Sequence, residues 1–517
     1  MSARPLNPDD LTIEQKIGQM LLARRPRSEA DKAEILELIR NRKLGGIHLG
    51  SSMDTSEYLA AADYPILVCD NMEEGFTAGE LEPVCPLAVS AAGTEEAAYE
   101  WAKLCAIQAK ARGFNVVFGP IVDIAMNPRS SCVGPRTFGG DKETVARVAN
   151  AAIRGYQDHG MVVTAKHFPG FGESHVDSHI GMVYLQGDRE SLIERDLYPY
   201  ASAVAEADLS GVMVGHIMAP KVDPEYPATL SPKLMALLRE IGFDGLAMTD
   251  SFAMVGLTNM YGLKECHGMA MAAGNDMVMT SYRLEARAAY AYMLEAFEKG
   301  VVTEEQIDAA VRRVAAAQAR TLAKPEQAGL SDGERAFSRT VTEQAMTAVL
   351  NGADSPAIPT DGRHLFIVAT GNPFESAEGV ALEGRDQGKV TELIGNTFPK
   401  SDLLAINEFP SRNQMENALK VSMDYESLVF IVFNRTVAYM GSSDLTRRML
   451  ALIEGCAHKT SAVVLFGNPY AARELPPLKR LVFAYEGGWA DEAAFKVLSG
   501  ELEAKGRLPL PVRLGGG

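Results

Sequence analysis

Along the first two-thirds of the chain, short apolar runs alternate with longer amphipathic stretches. The runs Met20–Ala23, Gly46–Leu49, Ile66–Cys69, Val116–Phe118, Val162–Ala165, Val212–Val214, Leu246–Met248 and Met277–Met279 read as strands. Between them, Ala30–Arg40, Glu95–Arg112, Lys142–Gln157, Glu190–Glu206, Pro232–Ile241 and Leu284–Lys299 repeat apolar positions at helical spacing. Strand, helix, strand in this order predicts a parallel sheet with helical crossovers. About eight such units in roughly 320 residues fit a (β/α)8 barrel better than an open sheet.

The pattern weakens near Leu322–Arg363. There Ala323-Lys324-Pro325, Gly329, Asp332-Gly333, Asp354-Ser355-Pro356 and Pro359 frame one expected helix, Ala336–Leu350. This reads as a surface linker. The expected division is therefore a barrel over 1–325, a linker with a helix over 326–362, and a smaller α/β sandwich over 363–517. In the last part, His364–Ala369, Ser427–Phe433, Ala462–Phe466 and Arg480–Tyr485 read as strands, with helices such as Gln414–Val421 and Leu445–Glu454 between them. No short-period repeat or low-complexity tract interrupts the chain, and the terminal Gly515-Gly516-Gly517 is expected to fray.

Composition narrows the partners. Apolar residues make up 47% and charged residues 23% of the 517, ordinary for a soluble globular protein. A formal net charge of −17 argues against nucleic acid or an anionic membrane surface, while leaving room for a local cationic pocket. Met1–Asp10 has no apolar core and carries two acids, unlike a signal peptide, and no apolar run approaches membrane-spanning length. The six cysteines, Cys69, Cys85, Cys105, Cys132, Cys266 and Cys456, are scattered without C-x-x-C spacing. Reduced thiols and a cytoplasmic location are the expectation. Oligomeric state is not legible.

Candidate chemistry concentrates where strands end. Lys166-His167-Phe168-Pro169-Gly170-Phe171-Gly172 and then Asp177-Ser178-His179 follow directly on the run Val162–Ala165. Active sites of (β/α)8 barrels lie at the carboxyl ends of their strands. The residues there are Asp70, Asp123, Lys166, His167, His216 and Thr249-Asp250-Ser251, joined by Arg136, Asp177 and His179 from loops. No H-x-x-x-H or H-E-x-x-H spacing supports a metal, and no G-x-x-x-x-G-K-[ST] or G-x-G-x-x-G loop supports a nucleotide. No metal or organic cofactor is expected. An ionised Asp250 beneath a sugar ring could attack the anomeric carbon while a histidine protonates the leaving oxygen. Asp177 and His179, two residues apart, suit a histidine oriented by a carboxylate.

Each residue also has a plainer role open to it. Asp250 could cap a following helix, His179 could be a solvated loop residue, and Arg136 an ordinary loop arginine. Lys166 and His167 could form a salt-bridged barrel rim. His175 and His216 read as structural or solvated, and the run Met269–Met279 as core packing.

The motif Lys-His-Phe-Pro-Gly-x-Gly with Asp-Ser-His resembles the bacterial β-N-acetylglucosaminidases of glycoside hydrolase family 3. Further segments share the resemblance: Leu11–Leu22 as an opening helix, Ile121–Phe138 with Gly134-Pro135-Arg136-Thr137-Phe138, Pro227–Ser231, Gly242–Gly245 through Asp250, and Ala273–Met277. In the last third, Gly467–Tyr470 and Gly506–Pro509 are similar to the family's sandwich domain. The resemblance implies Asp250 as nucleophile of a covalent, retaining reaction, His179 as acid/base with Asp177 its partner, and Asp70, Arg136, Lys166 and His167 as sugar-binding residues. It also implies a mobile loop over 170–181. The substrate would be a small carbohydrate with a terminal β-linked N-acetylglucosamine, from cell-wall or chitin fragments.

Departures from the pattern touch the substrate more than the chemistry. Phe171 stands where the family has a second histidine, and Ile180-Gly181 replaces the usual Leu-Pro. Asp70-Asn71-Met72-Glu73-Glu74-Gly75-Phe76 lacks the family's arginine, so Asp70 or Asn71 could accept the sugar hydroxyl. Thr249-Asp250-Ser251-Phe252 replaces Ser-Asp-Asp-Leu. Three alternatives stay open: a phosphorylase that captures the glycosyl group with phosphate, a β-glucosidase or β-xylosidase, and a catalytically silent sugar-binding protein.

Overall fold

The computed structural model describes residues 4–130, 133–323, 329–350, 356–370, 374–375, 381–382, 387–434 and 444–514. Cys132, Lys324-Pro325, Asp354-Ser355 and the terminal glycines lie outside the described residues. The chain forms two compact units. One comprises Met1–Leu81, Ala98–Ile124 and Asp141–Arg335; the other comprises Glu82–Ala97, Ala125–Gly140 and Ala336–Gly517.

The strands of the first unit, in chain order, are β1 (Leu21–Arg24), β2 (Gly46–His48), β3 (Leu67–Asp70), β4 (Val116–Val117), β5 (Val162–Val163), β6 (Ala165–Phe168), β7 (Val183–Tyr184), β8 (Gly211–Val214), β9 (Ile217–Met218), β10 (Leu246–Thr249) and β11 (Val278–Met279). A parallel sheet runs β11-β1-β2-β3-β4-β5, and a second runs β6-β8-β10. Because β5 passes into β6 across Thr164, these two strands share one position, and the sheets occupy eight positions. The ring closes where Met248 bridges Met277 in parallel and the Thr249 N–H donates to the Met277 carbonyl at 3.0 Å. This is a (β/α)8 barrel, and all eight expected strand runs lie in it. Its interior is filled by Leu22, Leu67, Phe118, Met213, Met248 and Met279 among others, so the barrel is a packed core.

Local chemistry sets the helix boundaries. Thr12 caps the first helix, Ile13–Gln19, in a reciprocal box with Gln15. That helix is shorter than the expected Leu11–Leu22, because Leu21 and Leu22 are taken by β1 and pair with β11 and β2. The expected Glu190–Glu206 helix breaks into Arg189–Ser191, a π-turn over Leu192–Asp196 and a helix over Tyr198–Ala207. Pro199 explains the break: it has no N–H to donate and its ring crowds the preceding turn. The Met269–Met279 run divides between a helix ending at Ala273 and β11, with Met271, Met277 and Met279 buried as core.

Ring closure is reinforced by one buried carboxylate. Asp276 accepts the Ala247 N–H at 2.8 Å through Oδ2, and its own N–H donates to the Ala247 carbonyl at 2.7 Å. Arg239 reaches Oδ2 at 3.1 Å and Arg313 reaches Oδ1 at 3.3 Å. Burial pushes the Asp276 carboxyl up to about 6, against the pull of the two arginines.

The second unit holds a six-stranded sheet ordered Thr347–Leu350, Arg480–Tyr485, Thr460–Gly467, Ser427–Asn434, His364–Thr370, Asp402–Asn407. The first pair is antiparallel and the others parallel. Phe366, Phe398, Ile431, Val464, Val482 and Phe495 are central to its core. The expected helix Ala336–Leu350 ends at Ala345, and Thr347–Leu350 becomes an edge strand paired with Arg480–Tyr485. The two inserted segments pack within this unit: Tyr470 Oη donates to the Ala125 carbonyl at 2.6 Å, and the Arg507 N–H to the Ala91 carbonyl at 2.9 Å.

Asp276→Ala should cost about 3 kcal/mol, the low end for breaking a buried pair, because it leaves Arg239 without its carboxylate while Arg313 keeps Asp244. Asp276→Asn tests the charge separately. The folded carboxyl binds its proton up to about 6 whereas the unfolded one releases it near the ordinary 3.8, so this group's stabilising contribution falls as pH rises across that window. The wild-type advantage over Asp276→Asn in denaturant midpoints should decline from about pH 4 to about pH 6 and be flat above it; a flat difference throughout would show the group stays ionised.

Candidate active site

The segment that opens the site is shaped by close backbone approach. After β6, Gly170 adopts φ +136, and a Cβ at Gly172 would collide with the Ile124 carbonyl. Glycine is required at both positions. The Lys166–His167 and Phe168–Pro169 peptide bonds are cis. Asp123, buried, gathers the start of the segment: Oδ2 lies 2.7 Å from His167 Nδ1, and Oδ1 accepts the Phe171 N–H at 2.7 Å. The Phe171 ring packs on the His167 imidazole at 5.8 Å between centroids. Lys166 is buried, with Nζ 2.7 Å from Glu73 Oε1 and 3.0 Å from Asn71 Oδ1.

Asp177 and His179 form a local pair. Asp177 is buried, and its Oδ1 accepts both the His179 backbone N–H at 2.8 Å and the Nδ1 proton at 2.7 Å. A carboxylate only accepts, so Nδ1 carries a proton and any exchange with a substrate falls to Nε2. The His179 side chain is 25% exposed. An imidazole oriented this way by a carboxylate has the geometry of a general acid/base. The Ser178 carbonyl accepts the Gly256 N–H at 3.3 Å, which leans the pair on the short helix that follows β10.

Asp250 is the first residue beyond β10. Its N–H donates to the Val214 carbonyl at 2.9 Å, and Oδ1 accepts the Ser251 N–H at 2.6 Å. It is not a helix cap: the next helix, Val255–Thr258, starts after Met254 with no side-chain cap. Burial opposes its charge, yet His167, His216, the Ser251 N–H and Lys166 together hold the carboxyl below its ordinary value. An ionised carboxylate at a strand tip is a competent nucleophile.

His216 lies at the centre of these groups. It is fully buried rather than solvated, with Nδ1 2.8 Å from Thr229 Oγ1 and Nε2 3.0 Å from the Ser251 carbonyl. Burial lowers its pKa, Asp250 raises it, and His167 and His179 add smaller repulsions. Asp250, His167 and His179 therefore converge within electrostatic reach of one imidazole.

The other candidates fall differently. Asp70 ends β3, accepts the Asn71 N–H at 2.8 Å and stands 3.4 Å from His48 Nε2, while Asn71 is the residue that Lys166 touches. Arg136 lies on the short turn Gly134–Arg136 within the second unit. His175 is exposed. Asp123 stood among the strand-end residues without a role, and Glu73 and His48 had none either. Asp123 carried a legible signal, a lone acid just past a strand; His48 and Glu73 become visible only through their neighbours in space.

Eight parallel strands closed into a barrel, with acid, imidazole and amine groups gathered at their tips, define an α/β-barrel enzyme. Residues 12–317 match the glycosyl hydrolase family 3 N terminal domain, and the chain belongs to glycoside hydrolase family 3. It is similar to the beta-N-acetylglucosaminidase/beta-glucosidase of Cellulomonas fimi, with 29% identity over 484 residues, 87% of this chain and 85% of that protein. The beta-hexosaminidase LpqI of Mycobacterium tuberculosis is 29% identical over 334 residues, 60% of this chain and 83% of its own. A solved family 3 β-N-acetylglucosaminidase from Paenibacillus sp. str. FPU-7 superposes with a TM-score of 0.83 at 28% identity, over 98% of this chain and 99% of that one. A β-glucoside phosphorylase, BglX, shares the fold with a TM-score of 0.82 at 22% identity, covering 98% of this chain and 95% of its own.

The Ser251 carbonyl decides the neutral tautomer of His216. It faces Nε2, so the neutral ring carries its proton there, and Nδ1 must then draw the single Thr229 hydroxyl proton away from the Gly215 carbonyl, 2.8 Å from that hydroxyl. Ring nitrogen chemical shifts should show a neutral Nε2–H imidazole at pH 6.5, with titration below the ordinary 6.5; an imidazolium at that pH would contradict the burial argument.

Proposed function

We propose that the protein is a retaining exo-β-N-acetylglucosaminidase. Asp250 attacks the anomeric carbon as the bond to the leaving oxygen breaks, and His179 Nε2 gives that oxygen its proton. A covalent glycosyl-enzyme results. His179 then takes a proton from the incoming acceptor as the acceptor displaces Asp250, and the configuration is retained. Asp177 orients the imidazole through Nδ1. Lys166 and His167 bind sugar hydroxyls. Asn71, which Lys166 touches, is a better supported hydroxyl ligand than Asp70, which is engaged with His48.

The observation that carries the reading is a pair of groups with opposite requirements. Asp250 is held ionised on a strand tip, and an imidazole with a buried carboxylate behind it stands on a neighbouring loop. The choice of N-acetylglucosamine rests on the similarity to the Cellulomonas and Paenibacillus enzymes. A second reading has its own support: an imidazole, unlike a carboxylate, does not repel phosphate, so phosphate could displace Asp250 in place of water and release a sugar 1-phosphate.

Asp250→Asn should lower kcat by about 10⁴-fold or more on aryl β-N-acetylglucosaminides. A fluorinated activated glycoside should label Asp250, detected by peptide mass. Turnover with and without phosphate separates the two acceptors, since only phosphorolysis yields the 1-phosphate. Faster hydrolysis of aryl glucosides than of N-acetylglucosaminides would overturn the sugar assignment. Binding without turnover, unchanged in Asp250→Asn, would mark a silent sugar-binding protein.

A further inference from the structure

The loop that carries Asp177 and His179 leaves the barrel at Gly170 and returns near Gln186. Its two ends are joined by one side chain. Glu173 Oε2 accepts the Gln186 N–H at 3.3 Å and Arg195 Nη2 at 3.2 Å, so an acid near the entry holds the exit and a cation outside the loop at once. Arg195 is fixed in turn. Its Nε and Nη2 lie 3.0 and 2.8 Å from Asp196 Oδ2, and Asp196 is buried against the first glycine of the loop. A Cβ at Gly170 would meet the Asp196 Cβ at 3.0 Å. Both Arg195 and Asp196 belong to the π-turn Leu192–Asp196, a distortion found most often at functional sites.

We infer that Arg195 is a positioning residue: with Glu173 and Asp196 it clamps the base of the acid/base loop and so sets where His179 delivers its proton. The inference rests on the acid/base role proposed for His179. The clamp does not touch Asp250, which is held from the other side by the Val214 carbonyl and the Ser251 N–H. Loosening it therefore handicaps only steps that need a proton. Attack by Asp250 on a substrate whose leaving group departs as a stable anion needs none, because the C–O bond breaks without protonation. Departure of a poor leaving group needs His179, and so does activation of water in the second step.

The test compares kcat/KM for 2,4-dinitrophenyl and 4-methoxyphenyl β-N-acetylglucosaminides in Arg195→Met, Glu173→Ala and His179→Ala. General acid catalysis contributes about 10²–10⁴-fold, so His179→Ala should lose that range on the methoxyphenyl substrate and little on the dinitrophenyl one. Arg195→Met should lose about 10-fold on the poor leaving group alone, a fraction of the same range. Added azide, which needs no base, should restore kcat of Arg195→Met on the dinitrophenyl substrate and yield the glycosyl azide. Glu173 is partly exposed, so Glu173→Ala keeps the test open if Arg195→Met folds poorly. Equal losses on both substrates, or none, in a folded clamp variant would overturn the clamp while leaving His179 intact. Absence of leaving-group dependence in His179→Ala itself would overturn the acid/base role and the clamp with it.

Discussion

The barrel depends on the seam between β10 and β11. The ladder there is very short, since β11 spans only Val278–Met279 and joins β10 through a single bridge. Parallel ladders this short contribute little cohesion of their own. Asp276 compensates by binding the Ala247 backbone in both directions and drawing in two arginines from separate helices. The arrangement is costly, because burial works against the carboxylate's charge. It is placed where directional bonds matter more than net energy, since an open seam would free the strand that carries Asp250.

From that seam follows a division of stiffness in the site. Asp250 continues β10 and is held by a backbone bond to β8, with its carboxylate accepting the N–H of its own successor, so its position is set by the ring. His167 and Lys166 are set by β6, by the buried Asp123 and by the partly buried Glu73. Asp177 and His179 instead sit on a loop tied to the barrel by contacts that include the Ser178–Gly256 bond, the β7–β9 pair and the contacts of Glu173. Function is commonly placed on loops carried by a rigid frame.

Much of this was legible in the chain. The eight apolar runs announced the barrel because a buried strand needs a short, nearly continuous apolar stretch, and the fold leaves few other ways to bury eight of them. The loop 166–179 was legible because histidine, lysine and aspartate beside glycines at a strand end have few structural uses. What failed to show had tertiary causes. The Pro199 break was present as a residue, but amphipathic periodicity runs through it unaltered. Thr347–Leu350 read as helix because its edge-strand partner, Arg480–Tyr485, lies far along the chain. Nothing local says that 82–97 and 125–140 pack with the second unit, so Arg136 looked like a barrel residue in a way periodicity cannot test.

The same limit applies to Asp70 and Asn71, and here geometry says more than the motif does. Sequence spacing left both open as hydroxyl ligands. In the fold, Asp70 turns to His48, which packs on Phe118 inside the barrel, whereas Asn71 shares the Lys166 amine with Glu73. An amide there both donates and accepts, while a carboxylate only accepts. With Glu73 supplying the negative charge that Lys166 needs, Asn71 accepts from the lysine through Oδ1 and keeps Nδ2 as a donor. On the reading proposed above, such a group would select a sugar by the fit of hydroxyl positions more than by attraction to a charge, as suits a neutral glycoside.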